Sequence, residues 1–167
     1  GKEGVFIMNP IPAYYGLLHK GTNGPDVALV QTWLNSIRDT CSWFEPLKVD
    51  GHFGPHMEKA VMEFQLRHRL NADGKVGKAT WEALHTKYSL KYGTRTPYPG
   101  ILLRQGSAGS CVRMVQQSLN AQGERLNADG RFGAKTAEAV RRFQSRAKLP
   151  ADGIVGKATW DALYPET

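Results

Sequence analysis

Two halves of this chain repeat each other, and the repeat limits the possible folds more than any other feature. Leu17-Leu18-His19-Lys20-Gly21 matches Leu102-Leu103-Arg104-Gln105-Gly106 at an offset of 85 residues. The same offset pairs Val27 with Val112, Val30 with Val115, Gln31 with Gln116, Leu34 with Leu119 and Asn35 with Asn120. Asp50-Gly51-His52-Phe53-Gly54 matches Asp129-Gly130-Arg131-Phe132-Gly133 at an offset of 79, which then holds to the end of the unit. The two offsets differ by six, so the first copy carries six extra residues, around Thr40 to Pro46.

Each copy also echoes itself. Asp50-Gly51 and Asp73-Gly74 each precede a helical pattern, as do Asp129-Gly130 and Asp152-Gly153. Asp hydrogen-bonds the backbone ahead of it, and Gly accepts the positive φ of a tight turn. The second glycine of each motif (Gly54, Gly77, Gly133 and Gly156) lets the next helix start close against its neighbour. Apolar residues at helical spacing predict a first helix through Val27, Val30, Leu34 and Ile37, and through Val112, Val115 and Leu119. Pro25 suits a first helical position. A middle helix carries Met57, Ala60, Val61 and Phe64, matched by Thr136, Ala139, Val140 and Phe143. A short last helix runs from Lys78 to Lys87, and from Lys157 to Leu163.

The expected fold is therefore all-α: two tandem three-helix modules joined by a short Pro/Gly linker. Residues 1–16 form an N-terminal extension, 17–88 the first module, 89–100 the linker and 101–167 the second module. Each module has roughly 65–70 residues. A single core of that size is only marginally stabilising, so docking of the two would add stability.

Composition narrows the class. Hydrophobic residues at 41% and charged residues at 22% suit a soluble globular protein. No run approaches the roughly 20 apolar residues of a membrane span. The apolar patch Val5 to Met8 is shorter than the roughly 7–15 residues of a secretory signal core. The net charge of +7 favours polyanions in general, with most basic residues dispersed over solvated helix faces. Cys41 and Cys111 are too few for a disulfide framework. They read as unpaired thiols, with a single bridge as the alternative.

The repeated pattern Asp-Gly-x-Phe-Gly, Ala-Val-x-x-Phe-Gln, then Asp-Gly-x-Val-Gly-Lys-Ala-Thr-Trp-x-Ala-Leu resembles the type-1 peptidoglycan-binding domain. The resemblance covers residues 17–88 and 101–164. It implies non-catalytic binding of bacterial peptidoglycan, by glycan strand or stem peptide, and targeting of an attached or partner cell-wall hydrolase. It also implies an extracellular or wall-associated setting. Two departures stand out: Met57 replaces the Thr found at 136, and the first copy has its insertion.

Enzyme motifs do not fit these residues. Gly74 and Gly77 are too close for a phosphate loop, and Ala79 interrupts the Lys-Thr pair. His52 and His56 are split by Gly54-Pro55, and their counterparts Arg131 and Lys135 are not zinc ligands. Neither HExxH nor GxSxG occurs. The repeated acids Asp50, Asp73, Asp129 and Asp152 all precede turn glycines, and Glu58 and Glu63 give way to Ala137 and Arg142 in the second copy. No catalytic residue, cofactor or metal is expected.

For ligand contact the candidates are Gln31, Gln65, Gln116 and Gln144, whose recurrence packing explains poorly, though tying a turn backbone is an equal use. Lys78 and Lys157 at helix starts suit a stem-peptide carboxylate. Trp33, Trp43 and Phe44, unmatched in the second copy, are expected as an exposed patch. The repeated Phe and Trp residues read as core. The rival function is a basic helical scaffold binding protein or nucleic acid, although no basic run interleaves with exposed aromatics.

Overall fold

The computed structural model describes residues 12–165. Most of the expected N-terminal extension (residues 1–11) and the last two residues of the second module lie outside that range. Six helices and no strand or sheet make up the described chain. They are α1 (Pro25–Ile37), α2 (Pro55–Arg67), α3 (Lys78–Tyr92), α4 (Ser110–Ala121), α5 (Ala134–Arg146) and α6 (Lys157–Leu163). Three helices fall in each repeat.

Prolines stand in the first turn of α1 and α2, where no N–H is missed. The first glycine of each turn motif takes the left-handed conformation, with φ between 74° and 76° at Gly51, Gly74, Gly130 and Gly153. The second glycines meet the expectation of close packing only at Gly156, where a Cβ would lie 3.3 Å from Leu102. They are helix N-caps with φ between −90° and −104°, and a Cβ at Gly54 or Gly133 would meet nothing within 4 Å. Close packing is thus not what those two positions require.

The segment entering each module ties its two turns together. Leu18 and Val76 exchange backbone hydrogen bonds of 3.1 and 2.8 Å, and Leu103 and Val155 repeat this at 3.0 and 2.7 Å. The chain leading into each module also accepts from the last helix. The Trp81 indole donates to the Pro12 carbonyl at 2.7 Å, and the Trp160 indole donates to Thr96 at 3.2 Å. Both tryptophans are fully buried, with Leu84 and Leu163 beside them in the core.

Helix α1 is buried nearly all round, because it serves two surfaces. One side packs on α2 and α3, and the other meets α4. The modules dock there through their first helices. Asp26 accepts from the backbone N–H groups of Ser110 (2.8 Å) and Cys111 (3.1 Å), so a carboxylate of one module caps a helix of the other. A Cβ at Gly109 would lie 2.6 Å from an Asp26 oxygen, which only glycine avoids. Tyr15 adds a strap: its hydroxyl donates to the Asp129 carbonyl at 3.0 Å, and Arg113 lies 5.1 Å over its ring. Cys111 is buried at this junction and Cys41 is exposed, and both thiols are free.

Helix α3 continues to Tyr92, so residues 89–92 of the stretch read as linker are helical. Tyr88 and Tyr92 stack at 5.0 Å, and the Tyr92 hydroxyl donates to the Ser36 carbonyl at 2.8 Å. One contact along the helix and one to α1 thus stabilise a segment whose own periodicity is weak.

Trp160 is 0% exposed, so Trp160→Ala is expected to cost about 3–5 kcal/mol and unfold the second module. A full melting enthalpy in the variant would overturn that assignment. Burial raises the Asp26 pKa above its ordinary 3.8, opposed by the Ser110 and Cys111 N–H groups. A raised folded value means stability that is present below the unfolded pKa and lost as pH rises through the folded one. The stability of the parent chain relative to Asp26→Asn should therefore fall as pH rises from the ordinary carboxylate range through the raised Asp26 value, followed by urea unfolding of both proteins. A constant difference would show that Asp26 does not titrate against folding.

Candidate functional site

The four recurring glutamines are 1–2% exposed, and each one holds an Asp-Gly turn. In Gln65, the amide nitrogen donates to Asp73 (3.0 Å), the Lys75 carbonyl (2.8 Å) and Thr80 (3.1 Å), while Oε1 accepts from the Gly74 N–H at 2.9 Å. Gln144 repeats this with Asp152, Ile154, Thr159 and Gly153. Gln116 does so with Asp129, Arg131, Thr136 and Gly130. Gln31 is the variant, because Met57 stands where the others have threonine. Its amide donates to Asp50 and His52, and Oε1 accepts from both Asp50 and Gly51. These side chains have spent both amide hydrogens and their oxygen inside the protein.

The turn aspartates show the same bonding. The Lys75 N–H, then the Gln65 amide, hold Asp73 below the ordinary carboxylate value, and the Arg131 N–H and Gln116 amide do so for Asp129. Burial pushes Asp50 up, but the His52 N–H and the Gln31 amide leave it lowered.

Lys78 and Lys157 lie on the surface, each paired one turn ahead, with Glu82 and Asp161. Asp161 also accepts from Arg95 at 3.1 Å. Of the three aromatic residues expected at the surface, Trp43 alone is there, 73% exposed. Trp33 and Phe44 are core residues instead, 1% and 9% exposed. Trp33 is buried because α3 covers that side of α1, with its ring 4.9 Å from Trp81. Phe44 turns inward under the inserted loop.

That loop, residues 38–47, is organised by long-range polar contacts. Asn35 donates to the Leu47 carbonyl (2.8 Å) and accepts its N–H (2.7 Å), closing the loop at its end. The second module has the same clamp between Asn120 and Leu126, at 2.9 and 2.7 Å. Between the clamp residues the two copies differ. In the first, the Arg38 guanidinium donates to the Phe44 carbonyl at 2.6 Å, and Glu63 on α2 accepts the Trp43 N–H at 3.0 Å. Arg67 joins Glu63 (3.3 Å) to Asp39 (3.2 Å). The Cys41 N–H first, and the Arg67 guanidinium after it, lower the Asp39 pKa. In the second, Arg142 occupies the Glu63 position and holds Glu124 at 2.7 and 3.0 Å. In both copies an acid of the loop is held by an arginine of the middle helix, Asp39 by Arg67 and Glu124 by Arg142.

Under the inserted loop lies an open cavity of about 250 Å³. Leu34, Phe44 and Phe64 give it an apolar lining, and Arg38, Asp39, Glu63, Arg67, His68 and Lys87 bring charged or titratable groups to it. Trp43 stands between two lining residues, Ser42 and Phe44, with its ring in solvent. Of the candidates drawn from sequence, this site brings in Trp43 at its rim and Phe44 in its lining. Glu63 was legible as an odd acid replaced by Arg142 and spaced one turn from Arg67, but the second bond of Arg67, to Asp39, joins residues that no local pattern connects. A second cleft of about 190 Å³ lies where the modules meet, lined by Tyr15, Leu17, Asn23, Asp26 and Ala108 among others.

Trp43→Ala should change stability by no more than about 0.5 kcal/mol, since its ring packs on little. Glu63→Ala should cost about 1–3 kcal/mol, because it strands the Trp43 N–H and leaves Arg67 with Asp39 alone. Equal urea midpoints for the two variants would show that Glu63 does not clamp the loop.

Comparison with known proteins matches the family described as "Putative peptidoglycan binding domain" twice, over residues 23–84 and 108–163. A "Probable N-acetylmuramoyl-L-alanine amidase" of Bacillus licheniformis is 33% identical over 155 residues, covering 86% of this chain and 43% of the amidase. The zinc D-Ala-D-Ala carboxypeptidase of Streptomyces albus G is 45% identical over 65 residues, covering 37% of this chain and 26% of the enzyme. A peptidoglycan-binding protein from Clostridioides difficile of known structure is 42% identical, with a TM-score of 0.38, over 39% of this chain and 41% of that one. The chain thus spans less than half the length of these relatives. It belongs to the peptidoglycan-binding domain family, as a tandem pair of that domain.

Proposed function

We propose that this chain attaches to bacterial peptidoglycan without cutting it, and that it brings an attached or partner hydrolase to the wall. The observation that carries this reading is the occurrence of the family domain twice in one chain. Two of the similar proteins are named as an amidase and a carboxypeptidase, and the chain matches 43% and 26% of their lengths. The catalytic part would then lie outside this chain, and the setting would be the wall or the extracellular space.

The candidate contact surface is on the first module. An exposed tryptophan offers a flat apolar face, and polar groups beside it supply direction, the usual composition of a shallow ligand groove. Lys78 and Lys157 remain candidates for stem-peptide carboxylates at the surface of both modules, while the buried glutamines act through the turns they hold. Two contacts on one polymer raise avidity by about 10²-fold when both engage. The docked arrangement fixes the spacing between them.

The test is co-sedimentation with purified sacculi free of teichoic acid, at two salt concentrations and beside a duplex-DNA control. Pelleting with sacculi alone, retained at high salt and weakened about three- to tenfold in Trp43→Ala, is the expected result. Pelleting that vanishes with salt, or equal retention on DNA, would replace this reading with a basic scaffold binding polyanions.

A further inference from the structure

We propose that the cavity under the inserted loop recognises the charged end of an uncross-linked stem peptide, one bearing both a free ammonium and a free carboxylate, and that only the first module does so. This rests on the peptidoglycan reading above and names the group that is bound.

The cavity brings together one buried acceptor atom without a donor and one exposed cation without an acid beside it. Glu63 is 2% exposed, yet its Oε2 has no hydrogen-bond donor, while Oε1 already accepts from Trp43 and Arg67. A buried carboxylate oxygen without a donor is costly, and an ammonium group is its strongest complement. Lys87 lines the same cavity, and its ammonium is paired with no carboxylate among the described residues. It is the complement of a carboxylate. A ligand that satisfies both must carry both signs.

Size and lining agree. At about 30 Å³ per water, a cavity of about 250 Å³ holds on the order of eight waters, or the end of one amino acid. Leu34, Phe44 and Phe64 suit the methylenes that separate two charged groups on such a side chain. A neutral sugar would bring no ammonium to the Glu63 Oε2 and no carboxylate to Lys87, and a phosphate backbone would meet Asp39 and Glu63. The diamino acid of a stem peptide has the required groups only until cross-linking, which turns its amine into an uncharged amide.

The second module lacks this chemistry. Arg142 replaces Glu63 and is engaged with Glu124, Gly123 takes the place of Arg38, and Ala147 that of His68. The extra six residues are also missing there. The two copies therefore differ in what they can hold, although they share a fold.

The test uses the whole chain at physiological salt, titrated with a soluble stem peptide whose diamino acid is free, and with the same peptide N-acetylated on that amine. Backbone amide shifts at Trp43, Glu63 and Arg67 are expected with the free peptide, and acetylation should weaken binding about tenfold or more. Lys87→Gln, a change at an exposed position, should weaken the free peptide about tenfold, and Glu63→Gln should abolish the preference for the free amine. Equal affinity for both peptides, or shifts confined to the second module, would overturn the proposal. Pelleting with sacculi by a chain that ignores the free peptide would overturn it while leaving wall binding intact. Peptide binding at the cavity without pelleting would instead sustain the cavity's chemistry and remove the wall-anchoring reading.

Discussion

Hydrogen bonds from buried glutamines to Asp-Gly turns set the dimensions of each module. Every glutamine lies on a helix, Gln31 and Gln116 near its middle and Gln65 and Gln144 in its last turn, and reaches across to a turn that would otherwise leave backbone groups unpaired in the interior. One amide fixes the aspartate, the carbonyl beyond it and the glycine N–H together, so the turn cannot shift without breaking several bonds at once. The helix that follows then starts from a fixed point. That is how Trp81 and Trp160 arrive at the same place in two copies, beneath the segment that leads into each module.

Docking rests on a smaller device placed between near-copies. Asp26 and Cys111 occupy matching positions of α1 and α4, and the first caps the helix that bears the second. Two carboxylates there would face each other as like charges in a buried site, so the pseudo-symmetric junction requires its halves to differ. Burial also raises the Cys111 thiol well above its ordinary pKa, with the Asp26 charge adding to it, which keeps that group neutral at the junction. Both first helices bury residues on two sides as a result, Leu29 and Met114 among them.

The repeat, the all-helical class and the turn chemistry were legible because each depends on short-range patterns: helical spacing, Asp followed by Gly, and matched segments. The candidate site was mostly not. Gln31, Gln65, Gln116 and Gln144 stood out by recurrence, but a sequence shows neither their burial nor the turn that uses each amide. Trp33, Trp43 and Phe44 looked alike as unmatched aromatics, and their fates were divided by which side of α1 the third helix covers and by the inward bend of the loop. Glu63 and Arg67 stand one helical turn apart, a spacing the sequence shows, but the link from Arg67 to Asp39 in the loop has no local signature. The extension of α3 to Tyr92 has the same origin, since its anchor is the Ser36 carbonyl on another helix.

The reciprocal clamp of Asn35 with Leu47, repeated by Asn120 with Leu126, separates the loop from the core. Its two hydrogen bonds hold the same positions whether the intervening chain is long or short. The stretch between them behaves as a cassette: its length and chemistry are exchangeable while the helices below stay in register. A lineage of such modules can thus rewrite one segment without disturbing its helices, and a protein engineer can graft a new segment into the second copy at the same two points.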